Sequence, residues 1–179
     1  MAGRLQLTLA LLKPDVTRAP HVLQAIRSKI IQEKFFVVRH KEIRLQRDKT
    51  EEFYKEHKGK FFYNRLVTFM ASGPIQALVL AREDAIRHWR TVMGPTKVYK
   101  AKYEAPNTLR GLYGLTDTRN STHGSALYPA AELSLQTGAP DLCQHSTTLL
   151  PKQLIAAFLT GHISVATSAA HLLPDTETI

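Results

Sequence analysis

Cysteine is nearly missing from this chain: Cys143 is the only one in 179 residues, which excludes an internal disulfide and fits a reducing compartment. There is no zinc-finger spacing and no arginine-rich tract, so nucleic acid is the less specific partner for a basic protein of this kind. Long apolar runs are also lacking. Residues 153–170 are interrupted by Thr160, Gly161, His162 and Ser164, and no membrane span is expected. The leucines of residues 1–12 do not suggest a secretion signal, because Gln6 and Thr8 break the stretch, Lys13 follows at once, and a small-residue cleavage site is missing. Acids are absent before Asp15, which is compatible with mitochondrial import.

What is present is an ordinary globular composition, 44% hydrophobic and 22% charged, with an uneven charge. Residues 1–125 hold 23 Lys+Arg against 11 Asp+Glu, a net +12, whereas residues 126–179 hold 1 against 4, a net −3. The length allows one domain with an appendage or one larger domain. A strongly basic first part favours a polyanionic ligand, with nucleotide phosphates ahead of nucleic acid.

Leu5, Leu7, Leu9 and Leu11 alternate with Gln6, Thr8 and Ala10, predicting a strand with one face buried. Pro20 opens a helix with Val22, Leu23, Ile26 and Ile30 on one side. Phe35 to Val38 reads as a second strand, continuing toward Ile43. Asp48 with Glu51 three positions on resembles a helix cap, Gly59 ends that short helix, and Phe62, Tyr63, Leu66, Val67 and Met70 recur at helical spacing. After Ser72-Gly73-Pro74 comes a strand over residues 75–81. Asp84 then starts a helix carrying Ile86, Trp89 and Met93 inward, closed by Gly94-Pro95. Residues 96–119 lack a strong period, and Leu109, Leu112, Tyr113 and Leu115 predict an ordered loop presenting Arg110. A short strand follows. This βαββαβ order predicts an α+β, ferredoxin-like fold: a four-stranded antiparallel sheet with helices on one face.

The stretch Arg119-Asn120-Ser121-Thr122-His123-Gly124-Ser125 concentrates the candidate chemistry. An imidazole here can attack phosphorus and hold a phosphoryl group covalently; a half-buried turn histidine is the plain alternative. Lys13 at a strand end, and Arg90 near a helix C-terminus, offer charge to phosphate oxygens or simply face solvent. Phe62 is either core or a ring for a base to stack on.

Taken together, Lys13-Pro14-Asp15, Phe61-Phe62, Met70-Ala71-Ser72-Gly73-Pro74, Arg90 with Met93-Gly94-Pro95-Thr96, Leu109-Arg110-Gly111 and Arg119-Asn120-x-x-His123-Gly124-Ser125 resemble the nucleoside diphosphate kinase family over about residues 5–125. The extended segment between Thr96 and Arg110 is similar to a divergent, mitochondrion-associated branch, so mitochondrial localisation is expected, with cytoplasmic residence as the alternative. The resemblance implies that His123 takes the γ-phosphoryl group of ATP or another nucleoside triphosphate and passes it to a nucleoside diphosphate. Lys13, Arg90, Thr96 and Arg110 would hold the phosphates, Asn120 the sugar side and Phe62 the base, while Tyr54 would help position the histidine. Magnesium (Mg2+) would arrive on the nucleotide, held by phosphate oxygens and water. Relatives commonly form hexamers, so a homo-oligomer is implied, and a protein partner stays open.

The chain departs from the family pattern after Ser125. Ser125-Ala126-Leu127 replaces the usual continuation, and Ser134 stands eleven positions after His123, where a supporting glutamate is expected. Residues 1–125 are therefore read as a kinase-like domain lacking its usual C-terminal helix, and residues 126–179 as a divergent, loosely ordered tail. A catalytically weak nucleotide- or partner-binding module on the same scaffold is the alternative to an active enzyme.

Overall fold

The computed structural model describes residues 5–124. In chain order its elements are β1 (Leu5–Leu12), α1 (Pro14–Thr17), α2 (Pro20–Gln32), β2 (Phe36–Arg44), α3 (Arg47–Phe53), a 3-10 turn (Lys55–His57), α4 (Tyr63–Ala71), β3 (Pro74–Glu83), α5 (Ala85–Met93), α6 (Val98–Glu104), α7 (Leu109–Tyr113) and β4 (Thr122–Gly124). The four strands form one sheet in the order β2-β3-β1-β4 with every pair antiparallel. That is the split βαββαβ arrangement the element order predicts. Expectations about residues 126–179 lie outside the described residues.

β1 occupies the interior of the sheet, and both of its faces are buried. Ala10 and Leu12 join a core with α2 and α5, including Ile26, Ile30 and Trp89, while Leu9 and Leu11 join a second core with Tyr54, Met70 and Ile75. The expectation of a single buried face is corrected: Thr8 and Ala10, which alternate with the leucines, are themselves 1% and 0% exposed. Each fully buried leucine contributes about 1.5–3 kcal/mol, so covering both faces makes β1 a firm anchor for Lys13 at its end. The crossover helices α2 and α5 lie on one side; α3 and α4, inserted between β2 and β3, add a layer on the other.

Pro20 starts α2 as expected, at a position where its missing N–H costs nothing. Three local expectations need correction. The residue preceding α3 is Gln46, and Asp48 lies inside the first turn with no side-chain capping bond at that end; its neighbour Arg47 instead bonds Glu51 at 2.8 Å. The inward face of α5 is Ala85, Trp89, Val92 and Met93, with Ile86 only partly covered. Residues 96–119 are ordered, but they contain the short helices α6 and α7. Their ends are fixed by side chains: Asp117 Oδ1 accepts from Val98 N at 2.9 Å, and Thr108 Oγ1 accepts from Gly111 N at 3.3 Å. Among the described residues, no helix is long and apolar enough to cross a membrane.

Candidate active site

The site forms where β1 ends beside β4. Their register sets Leu11 opposite His123 and Leu12 opposite Thr122, which brings Lys13, the next residue, against the turn before β4. Lys13 N–H donates to Ser121 O at 2.9 Å. Its Nζ donates to Asn120 Oδ1 at 2.6 Å and to Thr118 O at 3.2 Å. Only 4% of Lys13 is exposed. Burial, opposed by Asp15 and reinforced by Arg110, lowers its pKa to about 8.

Ser121 turns the chain into β4 with a left-handed φ of 64°, a strained conformation for a residue with a side chain. It is held from several sides. Ser121 N–H donates to Asp15 Oδ2 at 3.0 Å, and its hydroxyl donates to Asn120 O at 2.6 Å. Burial raises the Asp15 pKa, against the Ser121 N–H and Lys13, which favour its ionised form.

Arg110 enters from α7. Its NH1 donates to Gly94 O at 2.8 Å and Thr96 Oγ1 at 3.4 Å, and NH2 donates to Thr122 O at 3.0 Å. Nε is buried and has no protein partner among the described residues. Burial, then Arg90, lowers its pKa to about 10. Asn120 closes the ring of contacts by donating through Nδ2 to Thr96 O at 3.0 Å. Lys13, Asn120, Thr96 and Arg110 thus form one connected network, although they come from four separate segments.

His123 projects beside this network, partly exposed. Phe53 meets its ring edge-on at 5.5 Å between centroids, and Tyr54 stands perpendicular to it at 6.1 Å. Enclosure of the ring lowers its pKa to about 3, assisted by the neighbouring basic groups Lys13, Arg110, His57 and Arg90 in that order. The imidazole is therefore neutral at physiological pH and keeps a lone pair available. Its backbone is fixed too: Trp89 Nε1 donates to His123 O at 3.5 Å. A Cβ on Gly124 would come within 2.6 Å of Trp89 and 2.7 Å of Met93, so only glycine lets β4 lie this close to α5.

The remaining expected residues sit around the rim. Arg90 is exposed in the last turn of α5, with Trp89 buried beside it. Thr96 is exposed. Phe62 is half-buried at the start of α4, with its ring 5.6 Å from His57 and 5.5 Å from Phe61. Tyr54 is buried; burial raises its phenol pKa, and the hydroxyl has no protein partner among the described residues. Asn120 is 2% exposed, and both ends of its amide are engaged by Lys13 and Thr96. Sequence reading missed Phe53, Asp15 and His57 as parts of this environment. Their signals were faint: Phe53 adjoins Tyr54, and Asp15 lies two residues after Lys13.

A neutral imidazole flanked by fixed cations can attack an electrophilic phosphorus while those cations neutralise its oxygens. Known proteins are similar to this chain in sequence and fold. A family model described as nucleoside diphosphate kinase matches residues 6–137. The Homo sapiens protein named nucleoside diphosphate kinase 6 is 50% identical over 140 residues, covering 78% of this chain and 75% of that one. The Danio rerio protein of the same name is 53% identical over 137 residues, covering 76% and 78%. Among solved structures, the Aquifex aeolicus nucleoside diphosphate kinase superposes with a TM-score of 0.64 at 38% identity, over 68% of this chain and 85% of that one. Fold and sequence therefore agree: this chain belongs to the nucleoside diphosphate kinase family and is type 6-like.

Proposed function

We propose that this protein is a nucleoside diphosphate kinase that works by a ping-pong exchange through phosphohistidine at His123. The observation that carries this reading is the neutral, half-buried imidazole beside the buried cations Lys13 and Arg110 and the exposed Arg90. A ring nitrogen attacks the γ-phosphorus of a nucleoside triphosphate. The N–P bond forms as the bond to the β,γ-bridging oxygen breaks, and the nucleoside diphosphate departs with that oxygen. An acceptor diphosphate then attacks the same phosphorus through a terminal oxygen, restoring the imidazole.

The protein's part is placement and charge neutralisation. Lys13 and Arg110 are already oriented by backbone carbonyls, so little reorganisation accompanies binding. Among the described residues, Arg110 Nε and the hydroxyls of Thr8, Tyr54 and Thr122 are buried without a protein partner. Phe62 supplies a stacking surface that tolerates any base. Magnesium would enter as part of the substrate, held on phosphate oxygens and water.

Purified protein given γ-labelled ATP and magnesium should acquire acid-labile, base-stable label that GDP discharges. A His123→Ala variant should acquire none. Label persisting in that variant would refute the role assigned to His123. One observation favours the weak-binding alternative: among the described residues, the ionisable groups acting on the ring are all basic, and none of them is a carboxylate that would secure its tautomer. Nucleotide binding without labelling would select that alternative.

A further inference from the structure

The turn that joins α2 to β2 grips α5 at two successive residues, His88 and Trp89. We propose that Glu33 and His88 are positioning residues for His123, forming a latch that seats α5, and with it Trp89, against the strand that carries the histidine. The inference deepens the phosphotransfer reading of His123 and rests on it.

The turn closes α2 with two main-chain bonds, Lys34 N–H to Ile31 O at 2.9 Å and Phe35 N–H to Ile30 O at 3.1 Å. Such a closure needs a left-handed residue and usually takes glycine; Lys34 fills the place with a φ of 58°, a conformation that persists only where neighbouring contacts enforce it. Glu33 and Phe35, on either side, supply those contacts. His88 Nε2 lies 2.7 Å from Glu33 Oε2. Lys29, with Nζ 2.7 Å from Oε1, and then His88 lower the Glu33 pKa. An ionised carboxylate only accepts, so His88 Nε2 carries the shared proton. Arg82 braces the turn from β3: NH1 donates to Glu33 O at 2.6 Å, and the guanidinium stands 5.2 Å from the Phe35 ring. Phe35 is buried, 5.6 Å from the His88 ring and perpendicular to Trp89 at 5.9 Å.

The latch is one residue away from a contact to the site. Trp89 is fully buried and lies so close to Gly124 that a Cβ there would come within 2.6 Å of its ring. Its Nε1 reaches His123 O only at 3.5 Å, so close packing carries most of the placement. Among the described residues the imidazole itself is bounded by the rings of Phe53 and Tyr54, and no carboxylate acts on it. Its aim at phosphorus therefore depends on how β4 is seated on α5, and a misplacement of about 1 Å can cost on the order of 10²-fold in rate. The His88 and Glu33 side chains are 30% and 25% exposed. A pair this open adds little to global stability, so its loss should register in rate more than in melting temperature.

The test measures His123 labelling in single turnover at saturating ATP and magnesium, together with the indole N–H resonance of Trp89, the only tryptophan in the chain. His88→Ala and Glu33→Ala should each slow labelling about tenfold, and the double variant should be no slower than either, because both remove one contact. Each should also shift the indole resonance. His88→Gln, which still offers a donor to Glu33, should recover most of the rate. Arg87→Ala, exposed on the same helix and bonded to Asp84, should change neither reading. Wild-type rates in both alanine variants, additive losses in the double variant, or no recovery with Gln would overturn the proposal. Should the alanine variants fail to fold, Glu33→Gln carries the test: labelling about threefold slower is expected, and a wild-type rate overturns it. Absence of label in the wild-type protein refutes the phosphotransfer reading; the latch is then judged by the indole resonance, and one that stays in place in His88→Ala overturns it.

Discussion

The two ends of the cleft are built differently. At the proposed phosphoryl end, Lys13, Arg110 and Asn120 are 4%, 7% and 2% exposed, and each is tied to main-chain or side-chain partners from distant segments. At the proposed base end, Phe61 is 88% exposed and Phe62 is half-buried. Buried charge is costly to assemble and is stable only when its donors are matched. A transferred phosphoryl group presents the same geometry whatever nucleoside carries it, so rigid cations suit one end; bases differ, so an open ring suits the other.

This contrast can be broken at the rigid end with the largest effect. Arg110→Ala should lower kcat/KM on the order of 10²–10³-fold. It should also destabilise the fold by about 2–3 kcal/mol, because the carbonyls of Gly94 and Thr122 lose their donor; steady-state kinetics and thermal unfolding measure the two parts. Lys13→Met should cost a similar factor in kcat/KM, read in the same assay.

The open end should respond mainly in binding. Phe62→Ala should raise KM about tenfold for every base, with little change in melting temperature. A loss confined to purines would contradict stacking as the common contact. Smallest of all, Tyr54→Phe should reduce kcat/KM by no more than about tenfold. Its melting temperature should hold or rise, because the buried hydroxyl has no protein partner among the described residues.

Much of the scaffold was legible because periodicity reports burial. Ile26 and Ile30 marked the inward face of α2, and Trp89 and Met93 that of α5. β1 was misread because alternation with Thr8 and Ala10 looks amphipathic, whereas both residues are small enough to be packed inside a sheet covered on both sides. α6 and α7 were invisible for a different reason. They are too short to show a period, and Asp117, nineteen residues downstream, fixes the start of α6. In the site, the histidine stretch and its cations stood out as residue types. Phe53 did not, since its part depends only on facing the His123 ring, and no spacing in the chain encodes that contact. Gly124 stood out within a motif, but its reason, the approach of Trp89 and Met93, exists only in three dimensions.

The most direct measurement is the pH dependence of His123 phosphorylation by magnesium-saturated ATP under kcat/KM conditions. The folded site lowers the imidazole pKa to about 3 and that of Lys13 to about 8. The nucleophile therefore stays unprotonated through the whole physiological range, and the lysine loses its charge as pH rises through about 8. The expected profile is flat from about pH 5 to 7 and declines above about pH 8. An acid limb centred near the ordinary histidine value of about 6.5, or no label at any pH, would contradict a neutral His123 poised among fixed cations.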